Sequence, residues 1–393
     1  MLNWCGKATK PFTSSGKGLF TAALLAFCFF AAASAASNTA IFTYDIVVLN
    51  GRVIDPESKL HAARNLGIAA GKIKNISRQT LKGRRVIDAR GLIVSPGFID
   101  LHQHGHDVEN CRHKVMDGVT TALELEVGTG DIDRWYAQLE GKSLVNHGVS
   151  VGHLAARMAV MGDPEEFLPT GIAARKAATE DEISRMKELL ARGLDRGAIA
   201  VGFGIQYVPQ ASHWEILEMF RVAARFKAPC HVHLRNAGLK EPASSIQALE
   251  EVIAAATITG APLHVVHIQS TGGQATAKLL QMIAEARERK LDVTTECYPY
   301  IAGMTDIKSA IFDEGWQEVF GINYGDLQWA AAGERLTKES FERYRATGGY
   351  VAVFSMSEEL IETALPGGVE KVKPAPGTGN VQGKVLYMDG CLQ

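Results

Sequence analysis

From Tyr44 onward the chain alternates apolar and polar positions in short runs, the two-residue period of strands with one buried face. Residues 44–55, 65–68, 71–73 and 86–88 read as four such strands, punctuated by Asn50-Gly51 and Ala70-Gly71-Lys72, dipeptides of hairpin type. They predict a small β-unit over residues 44–92. The pattern changes in Leu92-Ile93-Val94-Ser95-Pro96-Gly97-Phe98-Ile99-Asp100-Leu101-His102-Gln103-His104-Gly105-His106. There an apolar run passes through a Pro-Gly turn, resumes as a strand and ends in His-x-His. Beyond it, apolar runs of strand length recur at 120–127, 149–154, 198–203, 230–234, 263–268, 293–297 and 350–354. Apolar positions at helical spacing fill intervals at 180–192, 214–226, 245–258 and 275–289. Such alternation predicts a parallel sheet. The His102 strand with seven more predicts an α/β fold, a (β/α)8 barrel of TIM type over residues 93–365.

The two ends of the chain differ from this middle. Lys7, Lys10 and Lys17 precede an apolar segment at 19–33, and Ala33-Ser34-Ala35 offers a small-x-small cleavage site. That layout predicts a signal peptide over residues 1–36 and an exported protein, periplasmic or secreted. The alternative, a retained membrane anchor, needs a longer apolar stretch. At the other end, residues 366–393 are rich in Pro and Gly, with one short apolar run at Val385-Leu386-Tyr387-Met388.

Composition narrows the picture only a little. Of 393 residues, 46% are apolar and 21% charged, and 43 acids stand against 41 bases. This is ordinary globular usage, with no expectation of nucleic-acid binding, or of membrane binding once the leader is removed. Cys5 and Cys28 lie in the leader; Cys111, Cys230, Cys297 and Cys391 are widely spaced, which predicts no dense disulfide framework.

Candidate chemistry gathers at strand ends. In a strand, positions i and i+2 share a side, so His102 and His104 can aim both imidazoles at one point, as ligands of a shared metal must. His233 closes Cys230-His231-Val232-His233, and His267 closes Leu263-His264-Val265-Val266-His267. Glu124 and Glu126 share one side of an apolar strand, where an acid is costly unless ionised against a cation. Each residue alone has a structural explanation. Together they outline a site for one or two zinc ions with an open position, fit for polarising a carbonyl and acidifying water. His106 is a further histidine at the same mouth. Thr271-Gly272-Gly273-Gln274-Ala275-Thr276-Ala277-Lys278 lacks the Gly-Lys-Ser/Thr of a phosphate loop, and Gly128-Thr129-Gly130 lacks the third glycine of a dinucleotide fingerprint.

The stretches NGRVIDP, PGFIDLHQH, DGVTTALELEVG, GFGIQYVP, HVHLRN, APLHVVHIQS and DVTTECYPYIAG resemble the amidohydrolase superfamily. Within it they resemble the N-acyl-D-amino-acid deacylases (D-aminoacylases), above all the D-glutamate deacylase branch, from about Tyr44 to Leu365. The resemblance implies a (β/α)8 barrel, a β-sandwich built from both chain ends, zinc, and hydrolysis of a linear amide. The substrate it implies is a small N-acyl-D-amino acid such as N-acyl-D-glutamate. Position by position, it makes His102, His104, His233 and His267 metal ligands. Where the family often carries a ligand cysteine, this chain has Glu126, with Glu124 in reserve. Tyr207, Arg235 and Tyr298 fall in segments that border the substrate, and Arg235 suits a substrate carboxylate.

Two departures stand out. Ile268-Gln269 replaces the family's lysine after the sixth-strand histidine. Relatives also end the barrel in a Ser-Asp-Gly-type motif whose aspartate shuttles a proton. Here only Asp389 follows Leu365, so the expectation is a C-terminally truncated member with an incomplete barrel and no assigned catalytic acid or base. Two alternatives remain beside deacylation: a dipeptidase of the same superfamily, and a metal-binding remnant without turnover. A cyclic-amide hydrolase is disfavoured because no lysine stands in the fourth-strand run at 198–203. An oligomer is compatible with all of these readings.

Overall fold

The computed structural model describes residues 44–164, 167–298 and 300–357. The expected leader, the tail and Asp389 lie outside the described residues. By internal contacts the chain divides after Pro96 into two units.

The first unit is a five-stranded sheet: β1 (Tyr44–Asp55), β2 (Leu60–Ala69), β3 (Lys72–Ser77), β4 (Gly83–Asp88) and β5 (Ile93–Val94). Its order is β3-β2-β1-β4, and β5 also pairs with β1. Of the two expected hairpin signals, one is a hairpin. Ala70 and Gly71 both take positive φ, 50° and 69°, and join antiparallel β2 and β3. Asn50-Gly51 is instead a bulge inside the continuous β1, where pairing with β2 slips between Val48 and Gly51 and Asn50 takes φ 63°. Asn50 is held there by its side chain on Asp88 and by the Asn65 side chain on its backbone N–H, so the strand kinks without reversing.

The second unit is built on a parallel sheet of β6 (Phe98–Asp100), β7 (Val119–Thr129), β8 (Asn146–Gly152), β9 (Val201–Gly204), β10 (Cys230–His233), β11 (Leu263–Val265) and β12 (Val293–Thr295). They pair in sequence order, so that β6 and β12 are the two ends of the sheet among the described residues. This is the curled parallel sheet of an incomplete barrel. Helices cover it at Glu180–Asp195, His213–Phe226, Ser245–Thr259 and Thr276–Glu288, each within a few residues of the periodic segment that predicts it. Their starts are chemically marked. Thr179 and Glu182 form a reciprocal capping box, and the hydroxyls of Ser212 and Ser244 accept from Glu215 N and Gln247 N. The helix Glu180–Asp195 turns Ile183, Met186, Leu190 and Leu194 inward at helical spacing. Gly193 lets that helix meet β8, since a Cβ there would fall 2.5 Å from Val151 Cγ2.

The expected eighth barrel strand is not one. Tyr350–Val353, β16, pairs antiparallel with β13 (Gly303–Asp306) and β14 (Leu327–Trp329) in a separate sheet of order β13-β16-β14-β15, with β15 at Glu334–Arg335. This accessory sheet has its own core of Ile307, Phe312, Trp316, Leu327, Leu336, Phe341, Val351 and Val353. A helix followed by an apolar run looks the same in either arrangement. Direction is set by Gly348-Gly349, both at positive φ, which bring β16 back against β13.

Candidate metal centre

Every strand end named in the sequence contributes to one cluster. Past β6, the chain continues along β7: His102 bridges Glu124, and Gln103 N–H donates to Leu123 O. On β7, Glu124 and Glu126 are both buried. Pairing of β7 with β8 slips between Glu124 and Thr129, and Gly128 takes φ 68° where a Cβ would lie 2.3 Å from Ser150 Oγ. The slip turns the N–H groups of Val127 and Gly128 onto Glu124 Oε1, each at 3.3 Å. His233 ends β10. His267 follows β11 with φ 30°, a left-handed conformation costly for a β-carbon residue and typical of sites whose surroundings over-determine it.

Glu126 is the centre. Its Oε2 lies 2.8 Å from His102 Nε2 and 2.9 Å from His104 Nε2. Its Oε1 lies 2.7 Å from His233 Nδ1 and 3.3 Å from His267 Nε2. One carboxylate oxygen therefore faces the first-strand pair, and the other faces the fifth- and sixth-strand pair. The far nitrogen of each ring is held in turn. Glu296 takes His102 Nδ1 at 2.5 Å and Glu124 takes His104 Nδ1 at 2.9 Å. Gln206 Oε1 lies 2.7 Å from His233 Nε2, and Ser270 Oγ 2.9 Å from His267 Nδ1.

The electrostatics follow from this crowding. Burial by itself would lower the pKa of His102, but the Glu126 and Glu296 carboxylates outweigh it and hold the ring well above the ordinary imidazole range. His104 behaves likewise, raised against its burial to about 9 by Glu124 and Glu126. Burial would raise Glu126, yet His102, His104 and His233 drive it well below the usual carboxylate range. His267 is lowered, first by burial.

This donor set fits a divalent ion. His102, Glu126 and His267 each offer one ligand atom, all within 4.8 Å of one another, and they form the one such group among the described residues. Two imidazoles and a carboxylate are a set zinc accepts while leaving a position open. The Nε2 atoms of His102 and His104 are 3.1 Å apart, near the ~3.3 Å that separates ligands around a small tetrahedral ion.

The substrate-border residues divide. Tyr207 is buried with its ring 5.2 Å from His233, its hydroxyl accepting from Thr305 Oγ1. The Tyr298 ring lies 6.2 Å from His267. Arg235 does not offer its charge to the mouth. Glu251 takes it in two parallel bonds of 2.8 and 2.7 Å, and the carbonyls of Pro209 and Ala211 take Nη1. Gln269, standing in place of the family's lysine, is buried and donates to Tyr298 O at 2.9 Å. His106 sits edge-on to Trp135, with ring centroids 4.8 Å apart. Sequence reasoning missed Glu296, Gln206 and Ser270. Glu296 had a signal, since it is an acid directly after the apolar run of β12, as Glu124 and Glu126 are acids within β7.

No family model matches the chain. A D-aminoacylase and an N-acyl-D-glutamate deacylase of Alcaligenes xylosoxydans xylosoxydans are 27% and 29% identical to it over 301 and 299 residues, or 67% and 66% of this chain. A solved N-acyl-D-glutamate deacylase from Bordetella bronchiseptica, in complex with zinc and a phosphonate inhibitor, superposes with a TM-score of 0.67 at 25% identity, covering 82% of this chain and 74% of that one. The chain is a homologue of the D-aminoacylase group of amidohydrolases. It spans about three fifths of the length of these curated relatives, 59% and 58%. Dihydroorotases align over a similar stretch of this amidohydrolase homologue. Its central carboxylate, Glu126, lies on the strand where the resemblance places a ligand cysteine.

Proposed function

We propose that this chain is a zinc-dependent amidohydrolase that deacylates an N-acyl-D-amino acid, N-acyl-D-glutamate being the foremost candidate, to a carboxylate and a free D-amino acid. The observation that carries this reading is the convergence of four imidazoles on one buried carboxylate, with every far ring nitrogen held. His102, His104, Glu126, His233 and His267 would hold one or two zinc ions. Such an ion supplies Lewis acidity, which polarises a carbonyl and brings the pKa of water near 7.

The chain's own residues do the rest. Glu124, Glu296, Gln206 and Ser270 fix the ring orientations, so the donors are placed before substrate arrives. Tyr298, pushed up by burial to about 12, and Tyr207, also raised by burial, keep their phenolic protons at neutral pH. They therefore act as hydrogen-bond donors to substrate oxygens beside the cluster. With Arg235 paired to Glu251, its guanidinium is not free to read a substrate carboxylate. The reading includes export, on the strength of the leader-like first 36 residues.

The test is hydrolysis by zinc-loaded chain, followed as released amine, on N-acetyl-D-glutamate, its L-enantiomer, a dipeptide and dihydroorotate. D-selective release supports deacylation. Turnover of the dipeptide or of dihydroorotate in its place replaces this reading with a peptidase or a cyclic-amide hydrolase. Zinc bound without turnover of any of them contradicts it.

A further inference from the structure

His102 stands just past one end of the parallel sheet. It follows β6, a three-residue strand at one end of the parallel sheet, which pairs only with β7 among the described residues. Phe98 and Ile99 on that strand are exposed. His233, by contrast, ends β10, which is flanked by β9 and β11. Glu124, the holder of His104, sits on β7 with two backbone N–H groups on its carboxylate. The His102 ring instead meets Glu296, 194 positions away at the other end of the same sheet.

We propose that Glu296 is a positioning residue that ties the last parallel strand to the first and fixes the ring of His102 with Nε2 toward Glu126. The inference rests on the metal-centre reading above for its functional meaning, though the tie itself is a matter of geometry. An imidazole has two nitrogens on opposite sides. Each nitrogen of His102 faces a carboxylate oxygen, Nδ1–H donating to Glu296 Oε1 and Nε2–H to Glu126 Oε2 at 2.8 Å; with Nδ1–H kept by Glu296, Nε2 is the nitrogen whose proton a metal ion would replace. Glu296 is itself anchored. Its N–H donates to Val265 O, and its carbonyl accepts from Ile268 N–H at 3.0 Å. Its other carboxylate oxygen lies 3.3 Å from His264 Nε2, close but without the alignment of a hydrogen bond. His264 is in turn fixed through Nδ1 by Thr294 Oγ1 at 2.8 Å. Thr294, His264, Glu296 and His102 thus form one part-buried file of contacts running from β11 and β12 to the end of β6.

Two readouts on the full chain decide the matter. The first uses metal-free protein: the Nδ1–H proton of His102, assigned by nitrogen-15 NMR, is expected to be protected from exchange in the wild type and lost in Glu296→Ala. The second is zinc affinity by competition with a chromophoric chelator. Glu296→Ala should weaken it about 10–100-fold, and Glu296→Gln, which keeps an acceptor oxygen but no charge, by less. A residue that only stabilised the fold would lower the unfolding midpoint while leaving both readouts unchanged in folded protein. That result overturns the proposal. If Glu296→Ala fails to fold, Glu296→Gln carries the test, with a shifted ring proton and weakened zinc binding expected and an unmoved pair of readouts overturning it. Should the wild type bind no zinc, the metal reading fails, while the ring proton still establishes or refutes the tie between Glu296 and His102.

Discussion

Two buried carboxylates can be compared within the second unit. Glu215 sits on the helix His213–Phe226 and meets His153 Nε2 at 2.7 Å and the Arg157 guanidinium, all three residues fully buried. Arg157 also donates to the carbonyls of Ala173 and Lys176, so its fork is consumed by the fold. A permanent cation matches a permanent anion there, and nothing is left to exchange. Glu126 is as deeply buried, yet its neighbours are four imidazoles and no arginine or lysine is paired with it among the described residues. Imidazoles carry charge only when protonated and offer lone pairs otherwise. Around Glu215 the compensating charge is built in, whereas around Glu126 it must be supplied by protons or by a metal. That difference separates a structural knot from a site.

The comparison can be broken by exchanging the properties of the two clusters. The largest expected effect is on the knot. Arg157→Met leaves Glu215 buried and short of a cation, and should cost about 3–5 kcal/mol in denaturant unfolding, with zinc bound per folded chain unchanged. Glu126→Gln should do the reverse, weakening zinc binding roughly 100-fold while moving the unfolding midpoint of the metal-free chain less than Arg157→Met does. Equal effects of both variants on both readouts would erase the distinction.

Acid sharpens it further. Burial would raise the pKa of Glu215, but His153 and Arg157 outweigh it and hold the group below its usual range. The unfolded chain, with a carboxyl pKa near 4.3, therefore takes up the proton first as pH falls. The stability from this group is present above the unfolded pKa and is lost as pH drops through the lower folded value. Urea midpoints between pH 6 and 3 should fall more steeply for wild type than for Glu215→Gln. The smallest effect is expected at the neutral holders. Ser270→Ala should weaken zinc binding only a few-fold, less than Glu124→Gln, because a hydroxyl orients His267 without adding charge.

Much of the frame was legible from residue pattern because the determinants are local. The helices are written in apolar spacing and in Thr179, Ser212 and Ser244 at their starts. The barrel strands are written as apolar runs, and the histidines that gather around Glu126 stand at their ends. What stayed hidden depends on partners distant in sequence. Val351 and Val353 pack as readily in an antiparallel sheet as in a barrel, so Tyr350–Val353 gave no sign of its direction. Arg235 carried the right chemistry for a substrate carboxylate, but Glu251, sixteen positions on, claims it. Asn50-Gly51 has hairpin chemistry, yet β1 runs on through it, because a bulge and a hairpin draw on the same positive-φ residue. Glu296 was readable as an acid in an apolar context, but its partner, His102, lies at the opposite end of the sheet.

Anomalous scattering at the zinc absorption edge, from crystals of zinc-loaded protein, tests the central claim most directly. The account predicts a peak among His102, Glu126 and His267 and none beside Glu215. A chain that binds zinc elsewhere, or leaves the Glu126 cluster without a peak, would contradict it.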